Sequence, residues 1–131
     1  MTLDNSSSSN RPSRRELGAR GEQLAADHME RVGYRIVARN WRCRSGELDL
    51  VADNGEVLAF VEVRSRTNTG TFGTPQESVD ARKIRQVREI AQVYLHQSKW
   101  DGNTPIRFDV ICATFSRDGS LASLDHIENA F

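Results

Sequence analysis

The chain has 131 residues, of which 37% are hydrophobic, and its 18 basic side chains are matched by 18 acidic ones. Its mean hydropathy is −0.58, and its apolar runs are far shorter than the roughly 18 residues of a membrane-spanning helix. These values predict a soluble protein with no membrane span, and the zero net charge gives no bulk attraction to nucleic acid.

The first 13 residues include four serines in succession and only two large apolar side chains, which predicts a disordered tail. Residues 14–131 are long enough to enclose one core, so we expect a single domain there. The N-terminal region lacks the basic-then-apolar pattern of a signal peptide. Cys43 and Cys112 are too few for a disulfide framework. We therefore expect a cytoplasmic protein with reduced cysteines.

The N-terminal part of this domain begins with a helix signal. A capping box at residues 13–16, followed by apolar residues at helical spacing, predicts a helix over residues 14–32. A short strand is expected at residues 34–37. The polar, arginine-rich stretch that follows predicts a loop over residues 40–46.

A hairpin is predicted next, because two strand-like runs flank Asn54-Gly55, which is typical of a tight turn. The runs cover residues 47–52 and 57–64. A turn centred on this dipeptide places Asp49 opposite Phe60. It also makes Asp49 and Glu62 diagonal neighbours on one face of the sheet.

The remaining elements are a helix and two strands. A second capping box at residues 74–77 predicts a helix that ends near residue 97. Strands are expected at residues 107–115 and 121–127. The order α-β-β-β-α-β-β predicts a single-domain α/β fold with one core.

Three acids share one face of the predicted hairpin, namely Glu47, Asp49 and Glu62. Like charges placed together repel, and partly buried acids are unfavourable unless something neutralises them. A divalent cation would do so, and carboxylate oxygens suit Mg²⁺ or Mn²⁺. In the alternative interpretation, a neighbouring arginine such as Arg64 pairs with the acids on a solvated face.

Sixteen of the 18 basic residues are arginine, which suits bidentate recognition of phosphate. Five arginines and no acid lie between Arg31 and Arg44, and a second basic cluster begins at Arg82. An arginine-rich solvated surface is the alternative.

Several motifs occur in a characteristic order. They are Gly21-Glu22 on the first helix, GELDL at residues 46–50 and FVEVRSR at residues 60–66. Together they resemble the YraN-like uncharacterised family, which is grouped with the PD-(D/E)XK nuclease superfamily near the archaeal Holliday junction resolvases. The resemblance extends over about residues 17–110 and includes two further motifs, NWR at residues 40–42 and RFDV at residues 107–110.

The resemblance implies a restriction-endonuclease-like α-β-β-β-α-β core, with a mixed sheet flanked by helices. It implies that Asp49 and Glu62 bind Mg²⁺ or Mn²⁺, with the backbone carbonyl of Val63 as a further ligand. Glu22 matches the first-helix acid that binds metal or orients water. Gly18 and Gly21 flank this acid and would allow close approach of the helix backbone.

Arg64 departs from the superfamily's Glu-x-Lys pattern. A lysine there orients or deprotonates water, whereas an arginine stays protonated and can only position water or stabilise phosphate charge. Lys83 on the second helix is a candidate for a relocated lysine, and an exposed helix lysine is the alternative.

Other residues have two interpretations each. Glu47 is a candidate outer ligand or an exposed strand residue, and Gln86 is a candidate site contact or an exposed helix residue. Trp41 would stack on a base or pack in the core. Arg107 and Asp109 share a strand face and are expected to pair. The three histidines are scattered, which does not favour a zinc site.

Taken together, the acid cluster, the arginines and the family resemblance predict a Mg²⁺-dependent endonuclease that hydrolyses DNA, including branched or damaged DNA, in preference to RNA. A homodimer is expected if it resolves junctions. The predicted catalytic residues are Glu22, Asp49, Glu62 and Arg64. The side chains expected to hold the nucleic-acid backbone are Arg42, Arg44, Arg66, Arg82 and Lys83. The alternative function is a nucleic-acid-binding module with a degenerate nuclease fold and little catalysis.

Overall fold

The computed structural model describes residues 12–68 and 79–131. Two helices and five strands follow in the order α1 (Arg14–Arg31), β1 (Arg35–Cys43), β2 (Gly46–Asp53), β3 (Leu58–Thr67), α2 (Ala81–Gln97), β4 (Ile106–Phe115) and β5 (Leu121–Ile127). The strands form one sheet in the order β1-β2-β3-β4-β5. Only β3 and β4 are parallel, and the other neighbours are antiparallel. The predicted single-domain α/β fold and its order of elements are confirmed.

Both helices begin at side-chain caps. The predicted capping box of α1 is confirmed, because the Ser13 N–H donates to Glu16 Oε1 at 2.7 Å and the Glu16 N–H donates to Ser13 Oγ at 3.1 Å. Within the described residues, α2 starts at Ala81, where Asp80 accepts a hydrogen bond from the Lys83 N–H. The capping box predicted at residues 74–77 lies outside the described residues, as does the predicted tail up to residue 11.

The loop predicted over residues 40–46 is wrong, because β1 continues through Cys43. Its pairing with β2 extends to Arg42↔Glu47 and Cys43↔Gly46. The strand tolerates this polar composition because it lies at the edge of the sheet, where alternate side chains reach solvent. Gly46, with φ of 140°, allows the sharp reversal into β2.

The predicted register of the β2–β3 hairpin is also wrong, by two residues. Asp53 pairs with Leu58 and Leu50 with Val61, so the turn centres on Gly55-Glu56 rather than on Asn54-Gly55. The Asn54 side chain favours this turn by accepting hydrogen bonds from the N–H groups of residues 56 and 57, each at 2.8 Å. With this register, Asp49 and Glu62 follow directly on the last pair, Leu50↔Val61, and their carboxyl groups interact.

The sheet separates two apolar layers. The layer under α1 contains Ala25, Ala26, Met29, Leu50, Ala52, Ala59, Val61 and Ile111. The layer under α2 contains Val51, Phe60, Val87, Ile90, Ala91, Leu95 and Phe108. Trp41 packs against this second layer, edge-on to Tyr94 at 5.2 Å between ring centroids, which confirms its core interpretation. No helix within the described ranges is long and apolar enough to cross a membrane.

Candidate active site

The strands β2 and β3 part in the middle of the sheet. Their pairing ends at Leu50 and Val61, whereas β1–β2 pairing continues to Gly46 and β3–β4 pairing continues to Thr67. Asp49 and Glu62 are the next residues on the two strands beyond the last pair. The Val63 N–H donates to Asp49 Oδ2 at 2.8 Å, so a carboxylate satisfies a backbone donor where the ladder has ended. We call this place the fork.

Two carboxyl groups meet at the fork. The Glu62 side chain is 4% exposed, and it is in side-chain hydrogen-bonding contact with Asp49. Burial, followed by the charge of Asp49, raises the pKa of Glu62 to about 7. Burial also raises the pKa of Asp49, and the Val63 N–H opposes that shift. The pair therefore holds a shared proton more readily than two exposed carboxylates would.

The second helix brings a cation to this pair. Lys83, in the first turn of α2, places its Nζ 3.5 Å from Glu62 Oε2. Its side chain is 34% exposed, so the ammonium group lies between the buried acids and solvent. Lys83 is therefore the ion-pair partner of a buried carboxylate and not simply an exposed helix lysine.

A third acid approaches from the opposite layer. Glu22 lies on α1 and is half-buried, and partial burial followed by the charge of Asp49 raises its pKa. Glu22 therefore lies near the Asp49 carboxyl group, beside the place where the described backbone pairing of β2 with β3 has ended.

The close approach of α1 depends on one glycine. A Cβ on Gly21 would collide with Ser65 Oγ and lie 3.3 Å from Ser65 Cβ, so the helix backbone rests directly on β3. This confirms the role predicted for Gly21. The same expectation for Gly18 is wrong, because nothing lies within 4 Å of the corresponding Cβ position.

A groove of about 670 Å³ runs from Glu22 along the second half of β3. Its basic side chains are Arg14, Arg64 and Arg66. Arg64 is exposed, so it faces this groove rather than occupying the buried position beside Glu62. Arg66 is half-buried and donates from Nε to Thr114 Oγ1 at 3.1 Å.

The other predicted basic contacts lie around the end of the sheet near α2. Arg42 is ion-paired with Glu47, its cross-strand partner, at 3.1 Å, so this acid lies in a surface pair. Arg44 is exposed in the turn between β1 and β2. Gln86 donates from Nε2 to the Ser45 carbonyl at 3.2 Å, which joins that turn to α2 one helical turn from Lys83. Arg82 is exposed at the start of the same helix.

A second polar cluster lies away from the fork, and sequence reasoning predicted its Arg107–Asp109 pair but not its histidines. Asp109 is fully buried and accepts two hydrogen bonds from Arg107, each at 2.8 Å, which confirms their predicted pairing. It also accepts from His126 Nε2 at 2.8 Å, and His126 Nδ1 lies 3.0 Å from His28 Nε2. The histidines are 98 residues apart in the sequence, so no spacing pattern could have revealed this contact.

The donor set at the fork fits a hard divalent cation. Mg²⁺ is commonly held by one or two protein carboxylates, with water and phosphate oxygens completing its coordination. Half-buried Asp49 and buried Glu62 supply two such groups, in a position that is unfavourable for two negative charges. Across the described parts of the chain, no set of three or more His, Cys, Asp or Glu side chains is arranged to hold a metal ion. The two side chains at the fork that could hold such an ion are those of Asp49 and Glu62.

Comparison with known sequences agrees with the motif resemblance. A UPF0102 protein of Pelotomaculum thermopropionicum is 48% identical over 118 residues, which cover 90% of this chain and 97% of that relative. UPF0102 proteins of Moorella thermoacetica and Geobacter metallireducens are 45% and 44% identical; the matches cover 90% and 89% of this chain, and 97% and 93% of the relatives. The family model matches residues 21–113, which include the fork and both core layers. The chain thus belongs to the uncharacterised protein family UPF0102, the YraN-like family that its motifs indicated.

Proposed function

We propose that this protein is a metal-dependent nuclease that hydrolyses phosphodiester bonds in DNA, with a PD-(D/E)XK-like arrangement of acids. The observation that carries the proposal is the pair of buried Glu62 and half-buried Asp49, with the ammonium group of Lys83 3.5 Å from Glu62. Two adjacent carboxyl groups with raised pKa values are typical of a functional site rather than of a stabilising one.

The energetics of the pair favour a functional role over a structural one. The two carboxyl groups lose hydration and repel each other, and a single lysine compensates only part of this effect. A neutral pair of similar shape would be more stable in the same place. The arrangement is therefore best explained by a ligand that neutralises both carboxylates, and a divalent cation does so.

In this proposal Asp49 and Glu62 hold Mg²⁺ or Mn²⁺, with the Val63 carbonyl and Glu22 as the further groups that the family resemblance implies. A bound divalent ion would supply Lewis acidity at the scissile phosphate and lower the pKa of water. Glu22 would orient the attacking water from the α1 side. Arg64 in the groove would bind the phosphate backbone and offset its charge.

Lys83 supplies the function that Arg64 cannot. A guanidinium group stays protonated and therefore cannot accept a proton from water. The amine of Lys83 stands beside the acid pair and can orient or deprotonate the water. We therefore assign the lysine of the Glu-x-Lys pattern to Lys83 on α2 and a phosphate-binding role to Arg64.

The first test is cleavage of labelled single-stranded, duplex and four-way-junction DNA, and of the matching RNA duplex, with Mg²⁺ or Mn²⁺. Glu62→Ala and Lys83→Met are expected to lower the cleavage rate by at least about 100-fold, as for loss of an acid–base group. Lys99→Met is the matched control, because that lysine lies past the far end of α2. Wild-type rates in Glu62→Ala would contradict the assignment of the site.

A second function is favoured by the exposed arginines around the fork, Arg42, Arg44, Arg64 and Arg82. In this alternative the protein binds nucleic acid through its backbone and cleaves little, since phosphate contacts do not require the acid pair. Binding of the duplex would then weaken steeply with salt and be unaffected by Asp49→Ala. Cleavage by the wild type that is lost in Asp49→Ala would exclude this alternative.

A further inference from the structure

Asn40 has a backbone conformation that is unusual for the middle of a strand. Its φ is 48°, although it lies inside β1 between the pairs Arg39↔Leu50 and Trp41↔Leu48. Asn40 therefore stands across from Asp49, at the strand next to the fork. Positive φ costs most side chains energy, and asparagine is among the few that tolerate it.

Other residues show that this conformation is not explained by a turn. Elsewhere in the described chain the non-glycine residues with positive φ are Lys99 and Asn129, and neither belongs to a helix or strand. Lys99 follows the end of α2, where a left-handed residue is common. Asn40 instead interrupts a strand that pairs normally on both sides of it.

The surroundings of the Asn40 side chain indicate a role for its positive φ. Asn40 lines one cavity with Glu22 of α1, and its side-chain amide opposes the rise in the pKa of that acid. A second link lies beside it, since Arg39 Nη1 donates to Gln23 Oε1 at 3.0 Å. The cavity that Glu22 and Asn40 line with Leu50 has a volume of about 220 Å³, so open space borders the Glu22 side chain.

We propose that Asn40 is a positioning residue, whose amide fixes the Glu22 carboxyl group beside the Asp49–Glu62 pair. This inference rests on the proposed nuclease function, because that function is what a fixed Glu22 carboxyl group would serve. Asparagine meets both requirements of the position: it tolerates positive φ, and its NH₂ group donates to a carboxylate. Glycine meets only the first requirement, which makes it the informative substitution.

The experiment is calorimetric titration of Mn²⁺ into the full chain with and without a short DNA duplex. The proteins are wild type, Asn40→Gly, Glu22→Gln and the double variant. Asn40→Gly should weaken Mn²⁺ binding about tenfold, as is typical when an outer partner of a metal site is removed. Its thermal unfolding midpoint should not fall, because glycine adopts this φ without strain. The double variant should bind no more weakly than Glu22→Gln, because Asn40 acts through that acid.

Lys99→Gly is the matched control, since it replaces another residue of positive φ at a distant turn, and it should bind Mn²⁺ as the wild type does. Unchanged Mn²⁺ affinity in Asn40→Gly would overturn the positioning role. The positioning role would also be overturned if the double variant lost Mn²⁺ affinity by the product of the two single losses, because Asn40 would then act independently of Glu22.

A second measurement separates this inference from the proposed function. The side-chain amide signals of Asn40 in an NMR spectrum should shift in Glu22→Gln and should not shift in Gln23→Ala. If the wild type binds no Mn²⁺ in any mixture, the nuclease proposal fails, and the shift alone decides whether Asn40 holds Glu22. Asn40 amide signals that do not change in Glu22→Gln would overturn the inference whatever the metal titration shows.

Discussion

At the scale of single residues, the buried carboxyl group of Glu62 at the fork lowers the stability of the fold at neutral pH. The pKa of Glu62 is raised to about 7, so the folded state binds a proton in a range where the unfolded chain has already lost it. Stability must therefore fall as the pH rises from about 4.5 to 7, since folding then requires an ionised buried acid. The sign is opposite to that of a carboxylate held in a stabilising ion pair.

We accordingly expect Glu62→Gln to raise the free energy of unfolding of the metal-free protein at pH 8 by about 2 kcal/mol, with little change at pH 5. Urea unfolding in EDTA at the two pH values would measure this difference. Glu47→Gln is the control, because Glu47 lies in a surface ion pair and should show no such gain. Equal effects of Glu62→Gln at both pH values would contradict the assigned pKa.

Asp109 is a buried acid whose pKa is shifted in the direction opposite to that of Glu62. Burial alone would raise its pKa, but hydrogen bonds from His126 and Arg107 hold the pKa below its usual value. The Asp109 carboxylate thus has hydrogen-bond donors that offset the cost of its burial, as expected for a structural group. Asp109→Asn should destabilise the fold by about 3 kcal/mol, because it leaves Arg107 without its counter-charge.

Urea unfolding near pH 7 would measure that loss. The control is Asp53→Asn, whose partner Arg35 is 75% exposed at 3.5 Å and whose effect should stay below about 1 kcal/mol. If both variants lose equally little stability, Asp109 is not the structural anchor that its contacts indicate.

At the scale of elements, the position of Glu22 depends on how closely α1 packs on β3. Alanine favours helix by about 1 kcal/mol over glycine, so Gly18→Ala, with open space around it, should stabilise the protein by about that amount. Gly21→Ala should instead destabilise it by about 1–3 kcal/mol, because the new methyl group collides with Ser65.

The comparison of these two alanines by thermal or urea unfolding tests the contact directly. Gly21→Ala combined with Ser65→Ala should recover much of the loss, since the colliding hydroxyl is removed. A stabilising Gly21→Ala would show that α1 does not rest on β3 as described. Cleavage by Gly21→Ala should also fall, because any displacement of α1 moves Glu22 relative to Asp49.

At the scale of the whole molecule, the acids at the fork belong to both layers of the fold, and a bound cation would link them. Metal affinity should rise with pH, because the ligands must first lose the shared proton. We expect Mn²⁺ to raise the thermal unfolding midpoint more at pH 8 than at pH 5.5, and to have little effect on Glu62→Gln. A shift that is independent of pH and of Glu62 would place metal binding elsewhere.

Local signals in the sequence were sufficient for much of the fold. The capping box at Ser13 involves atoms only three residues apart, so it is visible without any tertiary contact. Face alternation likewise put Asp49 and Glu62 together, and it survived a shift of two residues in the hairpin. The predicted end of β1 was wrong because an arginine-rich edge strand has the composition of a loop.

The sequence by itself therefore determined the order of the elements, the proximity of the two acids and membership of the family. The tertiary structure alone decided that the sheet opens beside Asp49, that Lys83 reaches Glu62, and that Glu22 and Asn40 meet across from them. The reason is physical. Alternation and caps act over a few residues, whereas these contacts depend on how far each pair of strands stays hydrogen-bonded and on two helices packed against opposite faces of one sheet.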